Sequence, residues 1–149
     1  MNILIIGFGS IGQKHVSAIR QVRPDAVIYA LRSSKTGEVG EGLNNIYSFN
    51  EINVKLDFII ISNPTNLHEE TIKNCLVFGC PLFIEKPVLS SLQNAHSLIK
   101  EISSKQIITY VACNMRFHPA LQFLKEWLTK TELRIKIGYS ILKILKTFK

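Results

Sequence analysis

Five short apolar runs punctuate the chain, and between them apolar residues recur at helical spacing. The runs are Asn2–Ile6, Val27–Leu31, Phe58–Ser62, Leu82–Ile84 and Ile107–Ala112, rich in β-branched and aromatic residues. A strand wet on one face alternates polar and apolar residues. A run that is nearly apolar throughout predicts a strand covered on both faces. Helices are predicted between the runs, at Ile11–Gln21, His68–Phe78 and Leu92–Lys105. In the last, Leu92, Ala95, Leu98, Ile99 and Ile102 share one face, and Ser90 and Gln93 have the spacing of a capping box. Strand and helix in alternation predict an α/β fold, a doubly wound parallel sheet with right-handed crossovers. Residues 33–50 hold Gly37, Gly40, Gly42 and the pair Asn44-Asn45, and predict a long loop after the second strand.

The first strand runs straight into Gly7, Phe8, Gly9, Ser10, Ile11 and Gly12, which open the first helix with the spacing G-x-G-x-x-G. Alone the pattern is weak, but a strand before it and a helix after it are the context a dinucleotide site requires. Gly7 permits a tight turn, Gly9 lets the backbone approach a pyrophosphate, and Gly12 lets the helix pack closely. The helix N-terminus then offers free N–H groups and partial positive charge to phosphates. The expected architecture is therefore of Rossmann type, in a single domain. Such a site also has a reader of the adenosine ribose about 20 residues on, usually an acid. Counted from Gly12, that place holds Arg32, followed by Ser33 and Ser34; Asp25 lies in the turn before the second strand. A guanidinium among hydroxyls suits a 2′-phosphate better than a 2′-hydroxyl, so NADP(H) is expected ahead of NAD(H). An arginine merely stacked on adenine would favour neither.

Composition adds limits. With 149 residues, 46% hydrophobic and 19% charged, the chain can bury the core of one ordinary domain. Cys75, Cys80 and Cys113 are odd in number and lack C-x-x-C spacing, so buried free thiols in a reducing cytoplasm are expected. No cluster of Cys and His has the spacing of metal ligands. The first apolar run is too short for a signal peptide, and no stretch approaches the roughly 18 apolar residues of a membrane span. A cytoplasmic protein without membrane contact is expected. The net charge of +7 suggests nucleic acid until its distribution is read. Arg134, Lys136, Lys143, Lys146 and Lys149 against Glu132 give residues 131–149 a net +4, leaving only +3 for the rest. One aromatic, Phe148, interleaves with the terminal lysines, which argues against a nucleic-acid surface.

Three more segments sharpen the picture: SNPTNLHEE (Ser62–Glu70) and FIEKPVLSS (Phe83–Ser91) each close a predicted strand, and CNMRFHPA (Cys113–Ala120) follows the last. Together with GFGSIG, their order resembles the N-terminal domain of the Gfo/Idh/MocA family of NAD(P)-dependent oxidoreductases, from Met1 to about Leu128. The resemblance implies redox chemistry on hydroxyl or keto carbons of sugars, cyclitols and nucleotide-linked sugars. It places Asn63, Pro64 and Thr65 along the cofactor, with His68 opening the next helix. It sets Glu85, Lys86 and Pro87 beside the nicotinamide, with Lys86 as the active-site lysine that bonds the reacting oxygen or tunes a neighbouring base. Asn114 and Arg116 become ligand contacts on the same grounds.

The family pattern also includes a second α/β domain that covers the nicotinamide and brings an Asp and a His about one helical turn apart. The chain's aspartates, Asp25 and Asp57, precede Lys86, and its last histidine is His118, so that pair has no counterpart here. Residues 1–128 are expected to form the dinucleotide domain and 129–149 a basic tail. Within the tail, Leu133, Ile135, Ile137, Tyr139 and Ile141 alternate as a half-buried strand would, then ILKILKTFK follows no family pattern. The expectation is a truncated or frame-shifted oxidoreductase, weakly active or inactive alone. A non-enzymatic nucleotide-binding or redox-sensing module is the alternative, with a homo-oligomer or a partner supplying the missing wall.

Overall fold

The computed structural model describes residues 1–35 and 42–131. The expected tail strand and the terminal lysine-rich segment lie outside the described residues, as do Gly37 and Gly40. In chain order the elements are β1 (Asn2–Ile6), α1 (Ser10–Val22), β2 (Val27–Leu31), β3 (Asn44–Ile46), β4 (Phe58–Ile61) and α2 (His68–Cys75). They continue with β5 (Leu82–Ile84), α3 (Ala95–Ser104), β6 (Thr109–Val111) and α4 (Pro119–Thr131). The described residues fall into two compact units, one within Met1–Ala112 and one from Cys113 onward. The described part of the second holds the 3-10 turn Asn114–Phe117 and α4, which begins on a proline already set to the helical φ.

The first unit is one six-stranded sheet in the order β3-β2-β1-β4-β5-β6, with every pairing parallel. The order reverses direction at β1, whose Ile3–Ile6 faces β2 on one edge and β4 on the other. The unbroken apolar character of β1 has a direct cause. Leu4 and Ile6 point into a cluster with Ile59 and Ile61, closed by Ile72 and Cys75 of α2 and Leu98 of α3. Ile3 and Ile5 point the other way, onto Ile28, Ile60 and the α1 residues Val16 and Ile19. Both sets are at most 5% exposed, so both faces of the strand are core.

Three expectations need correction. Residues 33–50 are not loop throughout: Asn44–Ile46 forms the edge strand β3, paired to Tyr29–Leu31. Ser90 and Gln93 do not form a capping box, because α3 begins only at Ala95. The Ser91 hydroxyl instead accepts the Gln93 N–H in the turn before it. The cysteines also divide. Cys75 and Cys80 are buried, but Cys113, beyond the end of β6, is exposed.

That division is testable. Burial pushes the Cys75 thiol up to about 12, and burial also raises that of Cys80. The thiolate is the reactive form, so at pH 8 only about one Cys75 in ten thousand is in it at any moment. Native protein treated with a thiol-exchange reagent at pH 8 is expected to lose one thiol quickly, at Cys113, and all three in guanidinium. Fast modification of two or three thiols in the native chain would show that the α2 face opens.

Candidate functional site

The carboxyl ends of β1, β2 and β4 converge on a cleft of about 960 Å³ at the point where the strand order reverses. Such a switch point is where open α/β sheets bind ligands. Its floor is the glycine turn. Gly7 has φ +87°, a left-handed conformation, and its N–H donates to the Leu31 carbonyl at 3.2 Å. A Cβ on Gly7 would stand 2.5 Å from the Asn63 nitrogen, so the end of β1 lies flush against the loop after β4. The Ser62 hydroxyl reinforces that contact, within 2.8 Å of the Gly7 carbonyl and 3.1 Å of that of Ile6.

Gly9 and Gly12 have different tasks. A Cβ on Gly12 would collide with the Gly7 carbonyl oxygen, so this glycine lets the first turn of α1 close over the loop that precedes it. A Cβ on Gly9 would meet nothing within 4 Å. It would project into the open side of the turn, where a close ligand needs the space. Gly9 is the residue before α1 and gives no side-chain cap, and no acid occupies the first turn. The N–H groups of Ser10, Ile11 and Gly12 precede the first intrahelical bond, from Gln13 to the Gly9 carbonyl. Thirteen residues of helix thus aim their positive end at the cleft.

The far wall belongs to β2 and β3. Arg32, Ser33 and Ser34 line it. The Arg32 guanidinium lies 5.8 Å from the Phe8 ring centroid and donates to Asn45 Oδ1 at 3.3 Å. Its backbone N–H bonds the Ile46 carbonyl, which fixes the end of β2 against β3. Among the described residues, no carboxylate lines the cleft. On the opposite side stand Asn63 and Pro64. Asn63 Nδ2 donates to Thr71 Oγ1 at 2.8 Å, whereas its buried Oδ1 has no partner among the described residues. An orphaned acceptor beside a phosphate-sized cradle fits a polyhydroxylated anionic ligand such as a dinucleotide.

Ten of the expected residues therefore share one cleft: Gly7 through Ile11, Arg32 through Ser34, Asn63 and Pro64. Gly12 lies directly behind it. Thr65, His68, Glu85 and Lys86 are in the same unit but do not line it. Thr65 opens a 3-10 turn, and His68 is fully buried with both ring nitrogens on backbone carbonyls. Glu85 turns back toward His15 of α1, and Lys86 is exposed at the end of β5, joined to Pro87 by a cis peptide bond. Asn114 and Arg116 belong to the second unit, on its 3-10 turn.

Tyr47, Ser48 and Phe49 were not anticipated, yet they line the cleft. They follow β3, so reading a strand at 44–46 would have placed them at a strand's carboxyl end.

Residues 1–113 match the family described as GFO_IDH_MocA, "Oxidoreductase family, NAD-binding Rossmann fold". Myo-inositol 2-dehydrogenase of Thermotoga maritima is 27% identical over 134 residues, 85% of this chain and 40% of that one. UDP-N-acetylglucosamine 3-dehydrogenase of Acidithiobacillus ferrooxidans is 23% identical over 82% of this chain and 40% of its own. Among solved structures, the WlbA (WbpB) dehydrogenase from Thermus thermophilus, in complex with NAD and UDP-GlcNAcA, superposes with a TM-score of 0.74. It is 22% identical over 87% of this chain and 47% of that one. The chain thus spans about 40% of the length of the curated relatives it matches. Among the described residues, no helix is long and apolar enough to cross a membrane. A parallel sheet reversing at β1, with the glycine turn set into the reversal and a family match across 113 residues, makes this chain a member of the Gfo/Idh/MocA oxidoreductases that carries their NAD-binding Rossmann fold.

Proposed function

We propose that the cleft binds a nicotinamide dinucleotide, prefers NADP(H) to NAD(H), and serves redox chemistry on a hydroxyl or keto carbon of a sugar or cyclitol. The preference rests on one observation: at the carboxyl end of β2 the cleft presents Arg32 between Phe8 and Asn45, flanked by two serines, with no acid among its described lining. A guanidinium offers a 2′-phosphate charge-assisted, directional hydrogen bonds, whereas a carboxylate there would repel it.

The other residues take places that follow from their chemistry. The N–H groups opening α1 hold the pyrophosphate, with Gly9 leaving room for it. Asn63 Oδ1 accepts a hydrogen bond from a ribose hydroxyl or an amide of the ligand. A bound nicotinamide supplies hydride transfer. Lys86 donates to the reacting oxygen and so assists proton movement there. Thr65, His68 and Glu85 support the cleft from behind, and the family resemblance supports Asn114 and Arg116 as ligand contacts. The sugar or cyclitol class is supported by the relatives, which are named as dehydrogenases of myo-inositol and UDP-N-acetylglucosamine.

Binding is the direct test, since it depends on the cleft alone. Titrations followed by nicotinamide fluorescence are expected to show NADPH binding at least about tenfold tighter than NADH, a difference near 1.4 kcal/mol. The ratio should shrink as salt rises, because one charge contact distinguishes the two ligands. Equal affinities would overturn the preference, and no saturable binding of either would overturn the site.

A further inference from the structure

We propose that His15 and His68 are positioning residues that tie the Lys86 loop to the dinucleotide cleft, an inference that rests on the dinucleotide reading above. Lys86 is exposed, and neither it nor its neighbours line the cleft, so something else must fix its place relative to the ligand. Two imidazoles do so, one on each side of it.

Ahead of Lys86, the Glu85 carboxylate is held at both oxygens. Oε1 lies 2.9 Å from His15 Nε2, and Oε2 accepts the Lys86 N–H at 3.2 Å. A carboxylate only accepts, so Nε2 is the nitrogen that carries the hydrogen. His15 sits three residues past Gly12, one turn into the helix whose N-terminus faces the cleft. Its ring is wedged edge-on to Phe83 at 5.5 Å, and Phe83 in turn stacks on Tyr110 at 5.6 Å. The pair is 21% and 17% exposed, dry enough for the contact to be stronger than a surface one.

Beyond Lys86, the Val88 carbonyl lies 3.1 Å from His68 Nδ1. The other nitrogen of that ring, Nε2, is 2.8 Å from the Asn63 carbonyl, in the wall of the cleft. His68 is 0% exposed. An imidazole buried to that degree costs stability unless it is bonded, and both of its bonds go to loops rather than to regular structure. Both partners are acceptors, so a ring with one N–H serves one at a time and a ring with two serves both. The segment Glu85–Val88 is thereby anchored to α1 at one end and to Asn63 at the other, the two walls that flank the pyrophosphate position.

Hydrogen exchange on the 149-residue chain separates this from a merely structural role. In the ligand-free protein, His15→Ala is expected to speed exchange in the peptide spanning Phe83–Leu89 about tenfold, the loss of one charge-assisted hydrogen bond. Exchange in β1 should be unchanged. Glu85→Gln, made on the wild-type chain, keeps an acceptor for His15 and should retain most of the protection. Because His68 is fully buried, His68→Gln is the second variant, and it should act on the same peptide and on the loop at Asn63. In wild type, saturating NADPH should slow the Phe83–Leu89 peptide further, and in His15→Ala it should bind without doing so. Unchanged exchange in His15→Ala and His68→Gln, or acceleration spread equally over β1, would overturn the proposal. Absence of NADPH binding to wild type would overturn the dinucleotide reading, while the ligand-free comparison still decides whether the imidazoles hold the loop.

Discussion

Replacing Arg32 with Asp is expected to reverse the choice of dinucleotide, from NADPH to NADH, with a change in the affinity ratio of about a hundredfold or more. Two effects act in the same direction. The wild-type guanidinium contributes a hydrogen bond to a charged phosphate, about 1.5–3 kcal/mol when formed. The new carboxylate meets the same phosphate with like charge, which costs a further few kcal/mol in a half-buried site. At roughly 1.4 kcal/mol per tenfold, their sum exceeds a hundredfold even after screening by salt. NADH has a hydroxyl where NADPH has the phosphate, and a carboxylate accepts from it, so its affinity should rise. Arg32→Ala isolates the first effect and should give a ratio near one. A ratio in the Asp variant equal to that of wild type would show that Arg32 touches only the adenine face.

The second large effect is on stability. Gly7→Ala is expected to cost about 2–5 kcal/mol, enough to lower the melting temperature by roughly 5–20 °C. Two penalties coincide there. A left-handed φ of +87° costs a residue with a Cβ about 1–2 kcal/mol. The added methyl would also stand 2.5–2.8 Å from backbone atoms of Ser62 and Asn63, which cannot rotate away as a side chain could. Gly79 supplies the control, since its φ is +60° but nothing lies within 4 Å of its absent Cβ. Gly79→Ala should therefore show the conformational cost alone, about 1–2 kcal/mol. Equal losses at the two positions would mean that the sheet ends relax around the extra methyl and that the close approach is not tight.

How much of this could be read from residues alone follows from where the information resides. Strands β1, β2 and β5 are predicted to the residue, because packing against helices on both faces favours continuous apolar runs, most completely at β1. Strand β6 is shorter than Ile107–Ala112 because only Thr109–Val111 finds partners on β5, and pairing, not hydrophobicity, sets its ends. Strand β3 was invisible for the same reason. Its residues are Asn-Asn-Ile, poor strand formers, and it exists because the free edge of β2 offers hydrogen bonds.

The site divides along a similar line. The glycine turn and Arg32–Ser34 are local motifs and come together as the spacing implies. Tyr47–Phe49 depended on β3 and were missed with it. His15, a polar residue on a helix, gives no local signal at all. Only the sheet order brings it beside Glu85, 70 positions away.

The central position of β1 has a temporal side as well. On the ribosome, residues 2–6 emerge long before residues 58–61, yet β1 needs both β2 and β4 to satisfy its two edges. After β2 has been made, one edge of Asn-Ile-Leu-Ile-Ile still waits through some thirty more residues with its amides unpaired and its isoleucines uncovered. The nascent chain therefore passes through an interval in which its apolar first strand is a template for any other strand nearby. Slow translation between β2 and β4 lengthens that interval, and a chaperone that covers five aliphatic-rich residues shortens its consequences.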